Sequence, residues 1–268
     1  MADIDLVVTD LDGTLWWGWN ETHPSTVDAW RTLEANGVHV LVATGRRVRS
    51  TREPLGALGL TPAAVVMNGA LVLDLATDER FHRHEFGVDA ATAVLAAFRA
   101  AALEPCVYVE HTVMDVCVGA RPSTHELHLR ELGAGVRSLD LDAAVAESPV
   151  LMFGIMGHAE APLTEIQQAL AGIAEVHVAP SDQYGGHSVN VTPIGLSKWV
   201  GVEVYCEARG IDASRVLAIG DGPNDVELLE GAAIAVVPED GHASALVLAD
   251  HVVASTRDGG WATILDLV

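Results

Sequence analysis

Hydrophobic residues along the chain gather into short, near-continuous runs separated by amphipathic stretches. Leu6 to Thr9 is a β-branched run, Val38 to Ala43 a second and Ala64 to Met67 a third. Between the first two, Thr22-His23-Pro24-Ser25 opens an amphipathic helix that runs through Ala35 and closes at Gly37, with Pro at its start and Gly at its stop. A helical stretch from Arg47 is expected to be interrupted near Pro54. Strands that are apolar throughout, rather than alternating, belong to a parallel sheet covered by helices on both faces.

The middle of the chain has a different rhythm. Leu71 to Leu75 and Phe81 to His84 flank a turn like the arms of a hairpin. A helix (Asp89 to Ala102), two strands (Cys106 to Glu110, Met114 to Gly119), a helix (Ser123 to Leu132), a strand (Val150 to Met156) and a helix (Pro162 to Ile173) follow. Two further strands, Glu175 to Val178 and Ser188 to Val191, close the block. From Leu196 the first rhythm returns: a helix to Arg209, strand Val216 to Ile219, helix Asn224 to Leu229, strand Ile234 to Val237, helix Ala243 to Leu248 and strand His251 to Val253. The predicted organisation is a discontinuous α/β core with a doubly wound, Rossmann-like parallel sheet at residues 1–84 and 187–268. An α+β domain at residues 85–186 is inserted between its halves.

Composition narrows the classes of function. With 37 Asp and Glu against 15 Lys and Arg the formal net charge is −22, which excludes a general binder of nucleic acid or anionic membranes. Half the residues are hydrophobic, enough for a large core. Three cysteines without a CxxC pair fit reduced thiols better than a disulfide framework or a thiolate zinc site. Met1-Ala2-Asp3-Ile4-Asp5 carries no basic leader, and no apolar run reaches the roughly 18 residues of a membrane span, so the expectation is a cytoplasmic protein. Fourteen of the 15 basic residues are Arg, and Lys198 is the single lysine. Either it survives by accident of composition, or its position needs a compact ammonium that a planar guanidinium cannot replace.

Candidate chemistry sits at strand ends, where a doubly wound sheet binds its ligands. The first strand runs into Asp10-Leu11-Asp12-Gly13-Thr14-Leu15, the second into Thr44-Gly45-Arg46, and the first strand after the insertion into Gly220-Asp221-Gly222-Pro223-Asn224-Asp225. Carboxylates from two strand ends make an oxygen-rich nest suited to Mg²⁺, and such a cluster cannot stay fully ionised without a cation.

This constellation resembles the haloacid dehalogenase-like hydrolases, specifically their magnesium-dependent phosphatases. The family's Asp-x-Asp-Gly-Thr-Leu strand end, later Thr, Lys, and Gly-Asp-x-x-Asn-Asp loop are matched in order by Asp10 to Leu15, Thr44, Lys198 and Gly220 to Asp225. The insertion resembles the family's type IIB cap, and Thr44-Gly45-Arg46 and Val66-Met67-Asn68-Gly69-Ala70 resemble that subfamily. The resemblance implies that Asp10 is the nucleophile forming an aspartyl-phosphate, and that Asp12 acts as acid and then as base. It implies Mg²⁺ ligation by Asp10, the Asp12 carbonyl and Asp221, with Asn224 and Asp225 supporting the metal or orienting Lys198. Thr44 and Lys198 would grip the phosphoryl oxygens, and Gly45, Arg46, Asn68 and Asn224 would bind substrate. A positive cluster of this kind is needed to draw a phosphate ester to so acidic a protein.

Two stretches depart from the family pattern, Trp16-Trp17-Gly18-Trp19 and Pro238-Glu239-Asp240-Gly241-His242, and both bear on substrate rather than on the catalytic set. The tryptophans read as packing of a flap. His125-Glu126-Leu127-His128 reads as a solvated helix face, and Cys106 and Cys117 as small apolar fillers. The leading expectation is a phosphatase for a small phosphorylated metabolite, a sugar phosphate or a phosphorylated cofactor. The alternatives are a phosphosugar mutase of the phosphomannomutase type, which would need Arg in the insertion such as Arg83, Arg99, Arg121, Arg130 or Arg137, and a non-catalytic phospholigand-binding module.

Overall fold

In the computed structural model the first apolar run forms β1 (Leu6–Thr9), followed by α1 (Pro24–Ala35), β2 (His39–Ala43), α2 (Val48–Ala57), β3 (Ala63–Val66), β4 (Leu71–Asp74) and β5 (Arg80–Arg83). Next come α3 (Val88–Ala100), β6 (Cys106–Val109), β7 (Val116–Val118), α4 (Glu126–Leu132), β8 (Val136–Ser138) and α5 (Leu141–Glu147). They lead to β9 (Val150–His158), α6 (Glu160–Ala169), β10 (Ala174–Pro180) and β11 (His187–Pro193). The chain finishes through α7 (Lys198–Arg209), β12 (Val216–Ile219), α8 (Val226–Gly231), β13 (Ile234–Pro238), α9 (Ala243–Leu246), β14 (His251–Val253) and short 3₁₀ turns. The described residues are 4–111, 113–181 and 183–268, so Met1 to Asp3 of the opening read above lie outside them. No helix among them is long and apolar enough to cross a membrane.

The chain divides into two units, Met1–Arg83 with Ser197–Val268, and His84–Leu196. The first junction falls within a residue of the expected one. The second moves from 186/187 to 196/197 because β11 pairs with β9 and β10 and therefore belongs to the second unit's sheet.

The first unit is built on a sheet of strand order β14-β13-β12-β1-β2-β3-β4-β5. The six strands from β14 to β3 are parallel, and the β4–β5 hairpin adds two antiparallel strands at the edge. From β1 the chain steps outward to β2 and β3, and after the second unit it resumes on the other flank at β12. The switch point of the winding is thus at β1, where such a sheet opens its binding crevice. All four residues of β1 are buried, as expected of a strand covered on both faces. Pro54 does not interrupt α2. The Ser50 carbonyl that its missing N–H leaves free accepts a bond from Arg46 Nη1 at 3.1 Å, so the helix continues past the proline.

The second unit carries a sheet of order β10-β11-β9-β6-β7-β8. Along its strands the residues alternate. Val107, Phe153, Ile155, Val189 and Val191 join Val94 and Phe98 of α3, Val145 of α5 and Ile166 of α6 in one apolar core. Phe153 anchors it, edge-on to Phe86 and stacked on Phe98. Two elements here, β8 and α5, are absent from the sequence reading. They are short, and the clearest mark of α5 is Asp140, whose carboxylate caps the helix by accepting from the Asp142 N–H at 3.0 Å. The His125–His128 stretch also departs from expectation. His128 is buried and bonded through Nδ1 to Thr124 Oγ1 and through Nε2 to the Tyr108 hydroxyl, while His125 caps α4. Cys106 and Cys117 are buried, free thiols.

Candidate active site

The adjacent parallel strands β12, β1 and β2 bring three loops to one edge of the sheet. The ladder runs one residue beyond β1, since the Asp10 N–H donates to the Ile219 carbonyl at 2.9 Å, so Asp10 leaves the strand on a fixed backbone. After it the chain folds back on itself through Gly13, whose φ of +82° lies in the left-handed region. A Cβ there would stand 2.3 Å from Asp221 Oδ2, so only glycine lets the two loops meet. Thr14 Oγ1 closes the junction by donating to Asp221 Oδ1 at 2.6 Å.

Lys198 is the first residue of α7, behind its cap Ser197. A cation there opposes the helix dipole, so its position must be held by other charges. Its ammonium donates to Asp10 Oδ1 and Asp225 Oδ1, each at 2.7 Å, and all three side chains are almost wholly buried. Asp225 is committed on its other oxygen too, accepting from the N–H groups of Asp221 (3.1 Å) and Gly222 (2.9 Å). Ligand atoms of Asp10, Asp221 and Asp225 lie within 4.8 Å of one another. Burial drives the Asp10 carboxyl up to about 7, against the pull of Lys198 and with the repulsion of Asp225 and Asp12. Burial, Asp10 and Asp225 likewise hold the Asp221 carboxyl well above the carboxylate range. Burial alone would lower the Lys198 ammonium, but its two carboxylates outweigh that and raise it. Three carboxylates against one ammonium leave two formal negative charges if all ionise, the deficit that a divalent hard cation with oxygen ligands makes good. The donor set therefore fits Mg²⁺ and does not fit a soft metal.

Asp12 stands apart from that cluster. Its carboxylate is 47% exposed and accepts from Arg46 Nε at 2.7 Å, from Arg46 Nη2, and from Trp16 Nε1 at 3.2 Å. Desolvation works to raise this carboxyl, but the guanidinium and the indole N–H hold it below the usual range. Arg46 is itself fixed, with Nη1 on Asn20 Oδ1 (2.7 Å) and on the Ser50 carbonyl, and its guanidinium 4.8 Å over the Trp16 ring. In this arrangement Arg46, expected as a phosphate grip, is engaged with Asp12 instead. Trp16 is fully buried, consistent with flap packing, whereas Trp19 is exposed.

Thr44 follows β2 directly, and its hydroxyl accepts the Arg46 N–H at 3.2 Å with Gly45 between them. Asn68 is buried in the left-handed region at φ +51°, a conformation costing on the order of 1 kcal/mol outside glycine. Its Oδ1 accepts from Asn224 Nδ2 at 3.2 Å, and its own Nδ2 is buried without a partner among the described residues. The structure thus gathers Asp10, Asp221, Asp225 and Lys198 in one cluster, pairs Asn68 with Asn224, and keeps the Asp12 carboxylate on Arg46. The divergent Pro238-to-His242 stretch reaches the site through backbone, the His242 N–H donating to the Asp221 carbonyl at 2.8 Å.

Sequence reasoning missed the residues that brace the nucleophile loop from behind. Trp261 Nε1 donates to Thr9 Oγ1 at 2.9 Å, and Thr9 Oγ1 donates to the Asp10 carbonyl at 2.7 Å. Thr256 Oγ1 contacts the Gly13 and Thr14 carbonyls at 2.6 and 3.0 Å. These braces come from irregular 3₁₀ turns near the end of the chain, which carry no periodic signal.

The sequence profile of the haloacid dehalogenase-like hydrolases matches residues 7–265 of the chain. A phosphoglycolate phosphatase of Methanopyrus kandleri is 25% identical over 97% of this chain and 95% of its own length. The 5-amino-6-(5-phospho-D-ribitylamino)uracil phosphatase of Bacillus subtilis is 24% identical, over 97% of this chain and 96% of its own. Among solved structures, a haloalkanoate-superfamily phosphatase of Bacteroides thetaiotaomicron superimposes with a TM-score of 0.80 at 18% identity, covering 98% of this chain and 94% of the other. A sugar phosphatase of subclass IIB gives 0.79 at 20%, covering 98% of both chains.

Proposed function

The chain belongs to the haloacid dehalogenase-like hydrolases, and on that premise we propose that it is a Mg²⁺-dependent phosphatase acting on a small phosphorylated metabolite through an aspartyl-phosphate. The observation that carries this reading is the single lysine, buried between Asp10 and Asp225 beside Asp221. Asp10 and Asp221, with the Asp12 carbonyl, would hold the metal, and Asp225 would orient Lys198. When bound, the cation neutralises charge on the phosphoryl oxygens and on the crowded carboxylates.

In the first half-reaction an Asp10 carboxylate oxygen bonds to phosphorus as the bond from phosphorus to the alcohol oxygen breaks, and Asp12 supplies the proton that oxygen takes. In the second, the Asp12 carboxylate takes a proton from water, the water oxygen bonds to phosphorus, and the Asp10 oxygen is released. Arg46 favours the ionised Asp12 that the second half requires, so release of that pair is part of the first half. Lys198 and the Thr44 hydroxyl hold phosphoryl oxygens throughout. The core residues act on the phosphoryl group alone, so the second unit is assigned the choice of alcohol. The relatives' names offer two kinds of alcohol, the carboxylate-bearing glycolate and the polyhydroxylated ribityl chain or sugar. Phosphate release from p-nitrophenyl phosphate with Mg²⁺, its loss in EDTA and its loss in Asp10→Asn test the reading. Turnover in EDTA equal to that with Mg²⁺ would refute the metal assignment.

A further inference from the structure

The turn that follows β3 is strained. Met67, Asn68 and Gly69 have φ of +50°, +51° and +102°, three successive positive values, whereas a residue other than glycine normally takes such a conformation singly. Asn20, Asp78 and Ala102, the other non-glycine residues of positive φ among the described residues, stand alone, and none of them is buried. Met67 and Asn68 are both buried. Strain of this kind persists only where the surrounding contacts enforce it, and it gathers at working sites.

Here the contacts run to three loops of the candidate site. The Met67 N–H donates to the Arg46 carbonyl at 2.9 Å and the Asn68 N–H to the Thr44 carbonyl at 3.1 Å, which ties the turn to the loop after β2. A Cβ on Gly69 would stand 2.3 Å from the carbonyl oxygen of Ser197, the cap of α7, the helix that Lys198 begins. The Asn68 side chain spans to the third loop, its Oδ1 accepting from Asn224 Nδ2 at 3.2 Å.

That bond decides how Asn224 is turned. A primary amide has a donor end and an acceptor end, and reversing it exchanges them. With Nδ2 held on Asn68, Asn224 Oδ1 lies over Gly222, where a Cβ would be 2.8 Å from it and 3.5 Å from Asp225 Oδ2. The oxygen is thus presented within the loop that carries Asp221, a member of the carboxylate cluster. An acceptor oxygen suits a hard cation or the water bound to it, whereas a phosphoryl oxygen is itself an acceptor and gains nothing from it. Asn68, at 1% exposure, is too deeply buried to meet a substrate.

We propose that Asn68 is a positioning residue and not a substrate contact: the strained turn sets its carboxamide, and through it the oxygen of Asn224, toward the Mg²⁺ site. The proposal rests on the metal-dependent phosphatase reading and deepens it, assigning Asn68 and Asn224 to the metal in place of the ester.

The test measures Mg²⁺ binding to the full chain by titration calorimetry, together with KM for p-nitrophenyl phosphate at saturating Mg²⁺. Glycine adopts positive φ freely, so Asn68→Gly should fold, and in EDTA it should melt about 2–4 °C above Asn68→Ala, which keeps the strain. Asn68→Gly should weaken Mg²⁺ binding by about 10-fold while KM stays within about twofold. In an Asn224→Ala background the same substitution should change Mg²⁺ affinity by less than about twofold, because its route to the metal is gone. Unchanged Mg²⁺ affinity in Asn68→Gly, an equal further loss on top of Asn224→Ala, or a raised KM with Mg²⁺ affinity intact overturns the proposal and leaves the phosphatase reading standing. Failure of Asn68→Gly to fold does the same, since the turn would then serve the fold alone. Wild-type protein that neither binds Mg²⁺ nor releases phosphate overturns the reading itself and this inference with it.

Discussion

The two units bury different kinds of polar group. In the first, Lys198, Asp10 and Asp225 are buried together and each is satisfied by an opposite charge, while Asp12 and Arg46 form a second pair at the surface. In the second, the sheet face opposite the helices buries neutral groups, and two of them, on Asn190 and Thr192, have no hydrogen-bond partner among the described residues. Ionic groups can be stored inside a fold only when paired, because an isolated buried charge costs far more than an isolated amide or hydroxyl. Phosphoryl handling needs fixed charge, preorganised before substrate arrives.

Breaking the charged half should therefore have the largest effect. Asp10→Asn leaves shape and burial but removes the nucleophile, and kcat should fall by about 10³-fold or more. Activity near wild type in that variant removes Asp10 from the mechanism. The same substitution should not destabilise the metal-free protein. The Asp10 carboxyl is raised from 3.8 to about 7 in the fold, so the folded state binds its proton more tightly than the unfolded chain does. That contribution is lost as pH rises from about 4 through about 7. In EDTA, the Tm of Asp10→Asn should therefore gain on wild type over that interval, and a difference that stays flat with pH contradicts the crowding argument.

Lys198→Arg ranks next. A guanidinium retains the charge but cannot place one compact donor 2.7 Å from both Asp10 and Asp225 in a fully buried space. The expected loss in kcat/KM is on the order of 10²-fold, read by phosphate release. Full activity would make the single lysine a compositional accident.

How far the sequence reveals each half follows from the same contrast. The catalytic set is legible because its residues sit directly at the ends of strands that are apolar throughout: β12 and β14 have the boundaries read from the sequence, and β1 ends one residue before Asp10. The neighbourhood of Asn190, Thr192 and Tyr108 in the second unit is not legible. They lie on β11 and β6, which are joined through β9, and only the register shows that they share a face. The junction at 186/187 fails for a related reason, since a strand's own residues do not say which sheet it joins. Pro54 illustrates the limit of local rules. Its helix survives because Arg46, eight residues earlier in the chain, donates to the carbonyl it frees. The pairing of Asp12 with Arg46 is equally a tertiary fact, arising because β1 and β2 are neighbours and both loops leave the same edge.

That pair supplies a smaller and more specific test. Arg46→Met removes the cation that holds Asp12 ionised and lowers its carboxyl, so the Asp12 pKa should rise. Asp12 must be a carboxylate to activate water, and the acidic limb of the kcat profile should therefore move to higher pH. The loss near neutral pH should be about 10-fold, below the effect of removing the nucleophile or the lysine. A wild-type limb in a folded, partly active Arg46→Met would separate Arg46 from Asp12 and return it to the role of a simple phosphate contact.

The smallest expected effect comes from the brace behind the nucleophile. Thr9 Oγ1 accepts from Trp261 Nε1 at 2.9 Å and donates to the Asp10 carbonyl at 2.7 Å, so the indole N–H turns the hydroxyl proton toward Asp10. Trp261→Phe keeps an aromatic ring where Trp261 stacks on Trp30, at 5.9 Å between centroids, and deletes only that donor. Losing one buried hydrogen bond of about 1 kcal/mol, expressed as looser placement of Asp10, corresponds to a roughly fivefold fall in kcat. KM should stay within about twofold of wild type, because the phosphate grips are untouched. Thr9→Val removes both bonds of the chain and should lower kcat further in the same direction. If Trp261→Phe lowers Tm but leaves kcat unchanged, the brace is structural, and placement of the charged half depends on the strand ends alone.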